Sequence, residues 1–459
     1  ELATDDEELA LAVINDLSTV YWGLGDQDAC DRLLAEFADR YPDSRWSEDL
    51  EGLLASLEVF SGRPRQALER VAPLRRRDDL RAKVEVAFVE AGALAFVGAT
   101  DRAVQTATEG YQHHLVLGEQ VGLGNSAIHL FSAHGALSGG GLLDEADALG
   151  TSLYEAVTER PNAYAIVMAT LVNGRTALAR GRPVTAERWF REGAAAARAT
   201  VAGDLLRWSL GGVALSLATT GRVEEAEAVL DEARGIDGLA RMCDIDLELA
   251  AARVAVGRGE LEAALTVLVD SAERWAGVGF ATNEARALHA MVTLDRAGSA
   301  QDRLAALADG TESRLIPVVA RHATGLVEED PDAVVTAAED YEALGCCFAA
   351  AEALTQAARL ARGGQSARVA TRLDQRARAL AATCEGSVNP VLFVQEQVGA
   401  LTRREREVGL LAAGGLRSKE IAARLNVSVR TVDNHLQRAY TKLGVSDRAG
   451  LAEAFDQDG

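Results

Sequence analysis

The sequence predicts an all-α protein in which a long solenoid of helical hairpins precedes a small unit of three helices. Alanine and leucine are abundant among the 459 residues, aromatic residues make up 5%, and there are 8 prolines. This composition is typical of helical proteins. Apolar helical segments are interrupted by glycine-containing turns at a nearly constant interval. The last sixty residues differ from the rest of the chain in both charge and turn pattern.

Glycine-containing turns recur along the first 300 residues. If one glycine is taken from each turn, the intervals between neighbouring turns are 37, 36, 42, 41, 40, 38 and 39 residues. Such a period is typical of stacked helical hairpins, in which each hairpin buries its apolar face against its neighbours. A further pair of helices near Leu344-Gly345 is predicted to close the array. The glycines used are Gly25, Gly62, Gly98, Gly140, Gly181, Gly221, Gly259 and Gly298.

The segment Leu215–Gly235 shows the repeating unit clearly. Its second helix has an apolar stripe at spacings of three and four, formed by Ala226, Val229, Leu230 and Ala233. These repeats resemble tetratricopeptide units but lack the full aromatic signature, and an unrelated α-solenoid is the alternative. Such arrays present a concave surface, so we expect a small-molecule or protein effector to bind the solenoid. A pure spacer is the competing interpretation.

The solenoid is predicted to end near residue 385. Gly386-Ser387 and Asn389-Pro390 both disfavour helix. The predicted organisation is therefore a solenoid over residues 1–385, a linker over 386–400 and a C-terminal unit over 401–459.

The C-terminal unit is predicted to begin with a helix bounded by recognisable signals. Thr402 and Glu405 have the spacing of a capping box, which marks the start of a helix. Gly414 and Gly415 are expected to end it.

Two more helices are predicted after this turn. Ser418 is expected to cap a short helix over Lys419–Leu425, and Ser428 a longer one that ends at Gly444. Two helices joined by a tight turn, with a polar face on the second, form the helix-turn-helix plan, and the second is the right size for the major groove of DNA. Its predicted core stripe consists of Val429, Val432, Leu436, Ala439 and Leu443.

The charge distribution supports this interpretation. The formal net charge is −22, but residues 401–450 contain ten basic and five acidic residues, so this segment carries +5 and the remaining 409 residues carry −27. A basic module on an acidic body can approach nucleic acid while the body is repelled. A small helical bundle with a solvated polar face is the alternative.

The C-terminal segment resembles the DNA-binding domain of LuxR-family regulators from about Leu401 to Phe455. The resemblance implies a helix-turn-helix fold that binds double-stranded promoter DNA. The residues that carry it are Leu401-Thr402, Arg404-Glu405-Arg406-Glu407-Val408, Lys419-Glu420-Ile421-Ala422, Leu425, Val429, Thr431-Val432, His435 and Lys442-Leu443-Gly444-Val445.

The polar residues of this segment divide into two predicted roles. Asp433, Asn434 and Gln437 are expected to face base edges. In many family members a lysine follows the Thr-Val pair, whereas here it is Asp433, which would repel phosphate but can accept from cytosine. His435 is either a framework residue or a packing residue that bonds backbone. The phosphate and framework residues are predicted to be Ser418, Lys419, Arg430, Thr431, His435, Arg438 and Lys442.

A solenoid followed by this domain resembles the C-terminal portion of the large ATP-binding LuxR-type regulators. Because the sequence starts with Glu1 rather than Met, we expect it to be part of such a longer protein; a shorter relative is the alternative. The resemblance implies activation of transcription through RNA polymerase. It also implies a homodimer on DNA, formed through a helix over Arg448–Phe455.

The sequence shows no signature of catalysis. It contains no phosphate-binding loop and no nucleophile–base pattern, so we predict neither an enzyme nor a cofactor in this chain.

No apolar run approaches the ~20 residues needed to span a membrane, and no secretion signal is present, which predicts a cytoplasmic protein. A repeat-protein adaptor with secondary DNA contact is the alternative function. The five cysteines lack C-x-x-C spacing and are predicted to be free thiols.

Overall fold

The structure is a computed structural model, and the chain divides into two compact units, Glu1–Pro390 and Val391–Gly459. The described residues are 12–13, 16–17, 20–21, 26–42, 44, 46–118, 126–159, 163–199, 203–236, 241–364, 367–388, 403–425, 427–443 and 450–451.

The first unit is built from helices over its described residues, as predicted. They are α1 Gln27–Arg40, α2 Ser47–Phe60, α3 Pro64–Val71, α4 Leu80–Phe96, α5 Thr100–Leu117, α6 Ala127–Gly140, α7 Leu143–Glu159, α8 Ala163–Ala179, α9 Pro183–Ala197, α10 Gly203–Thr219, α11 Val223–Arg234, α12 Asp244–Gly257, α13 Leu261–Val278, α14 Ala281–Thr293, α15 Ala297–Ala308, α16 Leu315–Val327, α17 Pro331–Ala343, α18 Cys347–Gly364 and α19 Ala367–Ala381. A short 3₁₀ helix, Leu74–Arg76, lies between α3 and α4.

From α2 onward, consecutive helices pair into hairpins with an inner and an outer member. In the α10–α11 hairpin, 15 of the 17 residues of α10 are buried, whereas α11 buries Ala226, Leu230 and Ala233. The first helices of neighbouring hairpins also pack on one another, as α4 does on α6 and α10 on α12. The first helices therefore form an inner wall and the second helices an outer layer.

Side-chain volume sets the distance between neighbouring hairpins. Phe190 of the outer helix α9 is fully buried. A Cβ atom added to Gly174 of α8 or to Gly212 of α10 would come within 2.7 or 2.4 Å of its ring. Glycine at both positions lets two inner helices close around one aromatic side chain, which fits the close packing of protein interiors.

The turn of most hairpins contains one residue in the left-handed region. The predicted repeat is confirmed, but two of its eight glycines, and Gly345 near the closing pair, are placed differently. Gly140 lies in α6, and Gly141 takes the positive φ; Gly298 lies in α15, and Asp295 has the positive φ in that turn; Gly345 lies between two hairpins. An aspartate tolerates this conformation, so counting glycines misplaced the turn at Asp295. The positive-φ residues are Gly62, Gly98, Gly141, Gly181, Gly221, Gly259, Asp295 and Glu329; Gly25 lies outside the described residues.

The array curves until early hairpins contact late ones. The backbone N–H groups of Glu312 and Ser313 donate to the carbonyl of Gly98 at 2.9 and 3.0 Å. The rings of Phe96 and Phe280 stack with their centroids 3.9 Å apart. The inner wall lines a cavity of about 390 Å³.

The C-terminal residues of the first unit pack against hairpins in the middle of the array. The N–H of Val388 donates to the carbonyl of Thr219 at 2.8 Å, and the carboxylate of Glu385 accepts from the amide and hydroxyl of Thr185. Residues 386–388, which were assigned to the linker, therefore pack on the solenoid. Residues 389–400 of that linker lie outside the described residues.

Buried ion pairs connect the inner helices. Asp246 of α12 is 1% exposed and accepts from Arg175 of α8 at 2.8 Å and from Arg286 of α14 at 2.6 Å. Burial alone would raise the pKa of Asp246, but the two guanidinium groups lower it to about 2. The carboxylate is therefore ionised at neutral pH and holds three inner helices together.

The hydrophobicity of the helices and the state of the cysteines can be compared with the predictions from composition. None of the described helices is both long and apolar enough to cross a lipid bilayer. The five cysteines are free thiols; Cys347 is half-buried and the other four are buried.

Four histidines on inner helices of the first unit have lowered pKa values; His129, His134 and His322 are buried and His289 is half-buried. Burial lowers the pKa of His129, His134 and His322 to about 3 and that of His289 to about 4. All four side chains are therefore uncharged in the folded protein at neutral pH.

These histidines should make the first unit sensitive to mild acid. The unfolded chain gains a proton at each histidine as the pH falls through 6.5, while the folded chain does not until about 3 to 4. The contribution of these histidines to the free energy of unfolding is therefore complete above pH 6.5. Below pH 6.5 each histidine lowers the free energy of unfolding by about 1.4 kcal/mol per pH unit. We expect His134→Gln to reduce the dependence of the unfolding free energy on pH by about that amount between pH 6 and 4.5.

Urea unfolding followed by tryptophan fluorescence measures this slope, because all five tryptophans precede residue 390. A lower stability of the variant at neutral pH does not affect the comparison, since only the change of the unfolding free energy with pH is compared. Equal slopes for the native chain and His134→Gln would contradict the assignment.

Candidate DNA-binding site

The structure gives the bounds of three helices in the described part of the second unit, and residues 450–451, within the helix expected over Arg448–Phe455, are also helical. The three helices are α20 Arg403–Ala413, α21 Ser418–Leu425 and α22 Val429–Leu443. The predicted stop after α20 is confirmed. Gly415 has a φ of +87°, and the N–H of Leu416 donates back to the carbonyl of Leu411 at 3.1 Å, as in a Schellman motif. Thr402 of the predicted capping box lies outside the described residues.

The start of α21 differs from the prediction by one residue. The helix begins at Ser418, and the carbonyl of Arg417 accepts the first helical hydrogen bonds. The N–H of Arg417 donates to the carboxylate of Glu420 at 2.7 Å. The cap position therefore belongs to Arg417, because a glutamate three residues later can satisfy its amide.

The start of α22 agrees with the prediction. The hydroxyl of Ser428 accepts from the N–H of Thr431 at 3.1 Å and lies 2.7 Å from the hydroxyl of Thr431. Ser428 is thus the N-cap that fixes where α22 begins.

The three helices share one apolar core. Val432, Leu436 and Ala439 of α22 are buried in the same cluster as Val408 of α20 and Ile421 of α21. Val429 was predicted in this stripe but is 42% exposed. As the first residue of the helix, its side chain leans toward the N-terminus and away from the core. The side chain of Leu443 lies outside those described.

One contact in this unit had no clear signal in the sequence. The guanidinium of Arg404 donates to Glu407 at 2.7 Å and to the backbone carbonyl of Leu425 at 2.9 Å. It thereby ties α20 to the C-terminal end of α21, where a cation is favourable. In the sequence, Arg404 was one charge among several in a basic and acidic run.

The polar residues of α22 lie on the side opposite the core. They recur at spacings of three and four, so they project from one face of the helix. All five members of this exposed face are solvent-accessible: Arg430, Asp433, Asn434, Gln437 and Arg438. The structure therefore places the three predicted base-facing residues together, with an arginine near each end of the row.

The remaining predicted site residues lie around this exposed face. Thr431 and His435 are half-buried on its flank. The Nδ1 atom of His435 is buried and has no hydrogen-bond partner among the described residues. On α21, Lys419 is exposed and Ser418 half-buried. Lys442 belongs to α22, but its side chain lies outside those described.

Comparison with known proteins identifies this unit. Residues 399–455 match the model of the luxR family of bacterial regulatory proteins, described as GerE. An HTH-type transcriptional regulator of Mycobacterium bovis is 49% identical over 55 residues, which are 12% of this chain and 6% of the relative. The transcriptional regulatory protein NarL of Mycobacterium tuberculosis is 53% identical over 58 residues, 12% of this chain and 27% of NarL.

A third relative is the spore germination protein GerE of Bacillus subtilis. It is 49% identical over 49 residues, which cover 11% of this chain and 66% of GerE. The matched stretches therefore span a small part of this chain and of the first two relatives. They coincide with the second unit, so this unit is a LuxR-family helix-turn-helix domain.

The cap of α22 can be tested by substitution. Ser428→Ala removes the acceptor for the Thr431 amide, which should cost about 1 kcal/mol of local stability. Ser428→Asp retains an acceptor and should keep the helix start intact. Hydrogen exchange of a peptide over residues 429–443 measures the difference. Exchange should be several-fold faster for the alanine variant alone, and equal exchange in the two variants would exclude a capping role.

Proposed function

We propose that this chain, which ends in a LuxR-family helix-turn-helix domain, regulates transcription by binding promoter DNA through α22. The observation that carries the proposal is the exposed face of α22. Its five polar side chains lie opposite a core that fixes the helix against α20 and α21. A helix held in this way can enter the major groove, where each base pair presents a distinct pattern of donors and acceptors.

The proposed roles follow from position on the helix. Asp433, Asn434 and Gln437 lie along the middle of the exposed face and would meet base edges. Carboxylate and amide side chains are suited to this, since amides pair with adenine and carboxylates accept from cytosine.

Residues around that row would contact phosphates or support the helix. Arg430 and Arg438 border it on α22, and Lys419 lies exposed on α21. Contacts of this type set affinity and register without reading sequence. The same role is proposed for Ser418, Thr431, His435 and Lys442.

Asp433 makes this surface less basic than a row of lysine and arginine would be. An acid there costs affinity through repulsion of phosphate, unless it accepts a hydrogen bond from a base. We therefore propose that the preferred site has a cytosine opposite Asp433.

The wider regulatory role is also a proposal. We propose that two copies bind paired half-sites about one helical turn apart. The regulator would act in the cytoplasm, as an activator that recruits RNA polymerase. The first unit would supply the regulatory signal, because it carries the excess negative charge, which DNA repels.

Two substitutions distinguish a residue that contacts base edges from a residue that contacts phosphates. Gln437→Ala should change the preference at one base pair by about 1–3 kcal/mol. Lys419→Ala should weaken binding evenly on all sequences and lower the salt slope by about one. Binding of the full chain to a library of promoter fragments, at several salt concentrations, measures both effects.

Lys83→Ala is the matched control, since Lys83 is an exposed lysine of the first unit. It should leave DNA binding unchanged. Even losses for both Gln437→Ala and Lys419→Ala would contradict the assigned roles. If the full chain binds no DNA fragment at low salt, the chain is instead an adaptor that acts through partners of its solenoid.

A further inference from the structure

The cavity of the first unit is lined by inner helices that span most of the unit. Its wall is mainly apolar and includes the aromatic side chains of Phe60, Phe88, Phe131 and Trp208. A volume of about 390 Å³ lies within the range of ~300–1,000 Å³ that is usual for small-molecule sites. Such sites typically combine an apolar wall with a few polar groups that fix the ligand.

Four polar side chains meet at one part of this wall. The polar cluster, as we call it, consists of Arg253 on α12, His289 on α14, Tyr341 on α17 and Glu352 on α18, and all four line the cavity. The rings of His289 and Tyr341 are 5.6 Å apart between centroids, and a nitrogen of Arg253 lies 3.7 Å from Oε1 of Glu352.

Members of the polar cluster lack hydrogen-bond partners. The Oε1 atom of Glu352, the hydroxyl of Tyr341 and Nε2 of His289 are buried and make no hydrogen bond to any residue that the structure describes. The 3.7 Å between Arg253 and Glu352 is too long for a hydrogen bond. Buried polar groups are nearly always satisfied, so several unsatisfied groups facing one cavity indicate a missing partner.

The charges on this side of the cavity do not balance. Arg175, Arg253 and Arg286 line it, and Asp246 already pairs with the first and third of these. Glu352 is the other carboxylate available. Burial raises the pKa of Glu352 to about 7, although Arg253 opposes the shift, so this carboxyl is partly protonated at neutral pH. The wall therefore has a surplus of positive charge that an anion can compensate.

We propose that the cavity binds a small amphipathic carboxylic acid, with its carboxylate at the polar cluster and its apolar body against the aromatic wall. The carboxylate accepts from the guanidinium of Arg253 and the hydroxyl of Tyr341. Protonated Glu352 can donate to it as well. Charge-assisted hydrogen bonds of this kind are the strong ones, particularly away from water. The regulatory meaning of the site rests on the proposed function, whereas binding itself does not.

Matched probes test the chemistry. We choose 1-naphthylacetate, its neutral amide 1-naphthylacetamide and the cation 1-naphthylmethylammonium, which share one aromatic body. Calorimetric titration of the full chain at pH 7.5, without DNA, should show the acetate binding about tenfold or more tightly than the amide. The cation should bind weakest. Failure to bind any probe, or equal affinity for acetate and amide, would overturn the proposal.

A charge-removing variant locates the carboxylate. Arg253→Met should lower the affinity for the acetate about tenfold and leave the amide within about threefold. Arg321→Met is the control, because Arg321 on α16 pairs with Asp340 in an exposed position and does not line the cavity. An unchanged preference for the acetate in Arg253→Met would show that the carboxylate lies elsewhere.

A filling variant locates the apolar body. Gly135 on α6 lines the cavity, and a Cβ added there meets no atom within 4 Å. Gly135→Leu should therefore fill the cavity and reduce the affinity for both the acetate and the amide at least about tenfold. It should not impair folding, because leucine favours helix more than glycine does.

Gly277→Leu is the matched control for that variant. Gly277 is an exposed residue of α13 whose added Cβ also meets nothing within 4 Å, and it does not line the cavity. Thermal unfolding verifies that both variants are folded. Native affinity in a folded Gly135→Leu chain would rule out this cavity as the site. Because no DNA is present, these results stand apart from any failure of the chain to bind promoters.

Discussion

The first unit depends on one constraint: inner helices that are apolar on every side must be covered on every side. In α10, 15 of 17 residues are buried, so one hairpin partner and one neighbour are not enough to shield it. The array meets this requirement by curving until Gly98 contacts Ser313 and Phe96 stacks on Phe280. Closure of the array, rather than the strength of any single hairpin, removes the inner wall from water.

The same burial decides which polar groups the interior can hold. Asp246 remains charged because two guanidinium groups face it, whereas four histidines of the inner helices remain neutral. In the polar cluster His289 is likewise neutral, but its Nε2 atom, Oε1 of Glu352 and the hydroxyl of Tyr341 make no hydrogen bond within the described chain. Several unsatisfied polar atoms that face one cavity are the pattern expected of a binding site.

Local features of both units could be predicted from the sequence, and features that join distant residues could not. The cap at Ser428 and the stop at Gly415 each depend on a few neighbouring residues, and both were predicted. The turn at Asp295 was misplaced because a non-glycine residue adopts positive φ there. The cavity left no local signal, since Arg253 and Glu352 lie a hundred residues apart in sequence. The exposed face of α22 was predicted correctly in position, while its base contacts remain a prediction.

Closure also has a consequence for the order in which the protein can be made. The contacts that complete the first unit join Gly98 to Ser313 and Thr219 to Val388. A ribosome releases the chain from its N-terminus, so the early inner helices wait, partly uncovered, for hairpins synthesised about 200 residues later. Long-range contacts of this kind slow folding and leave apolar surface open to aggregation. The nascent chain is therefore most vulnerable during this interval, and its ligand cavity does not exist until the late hairpins have emerged.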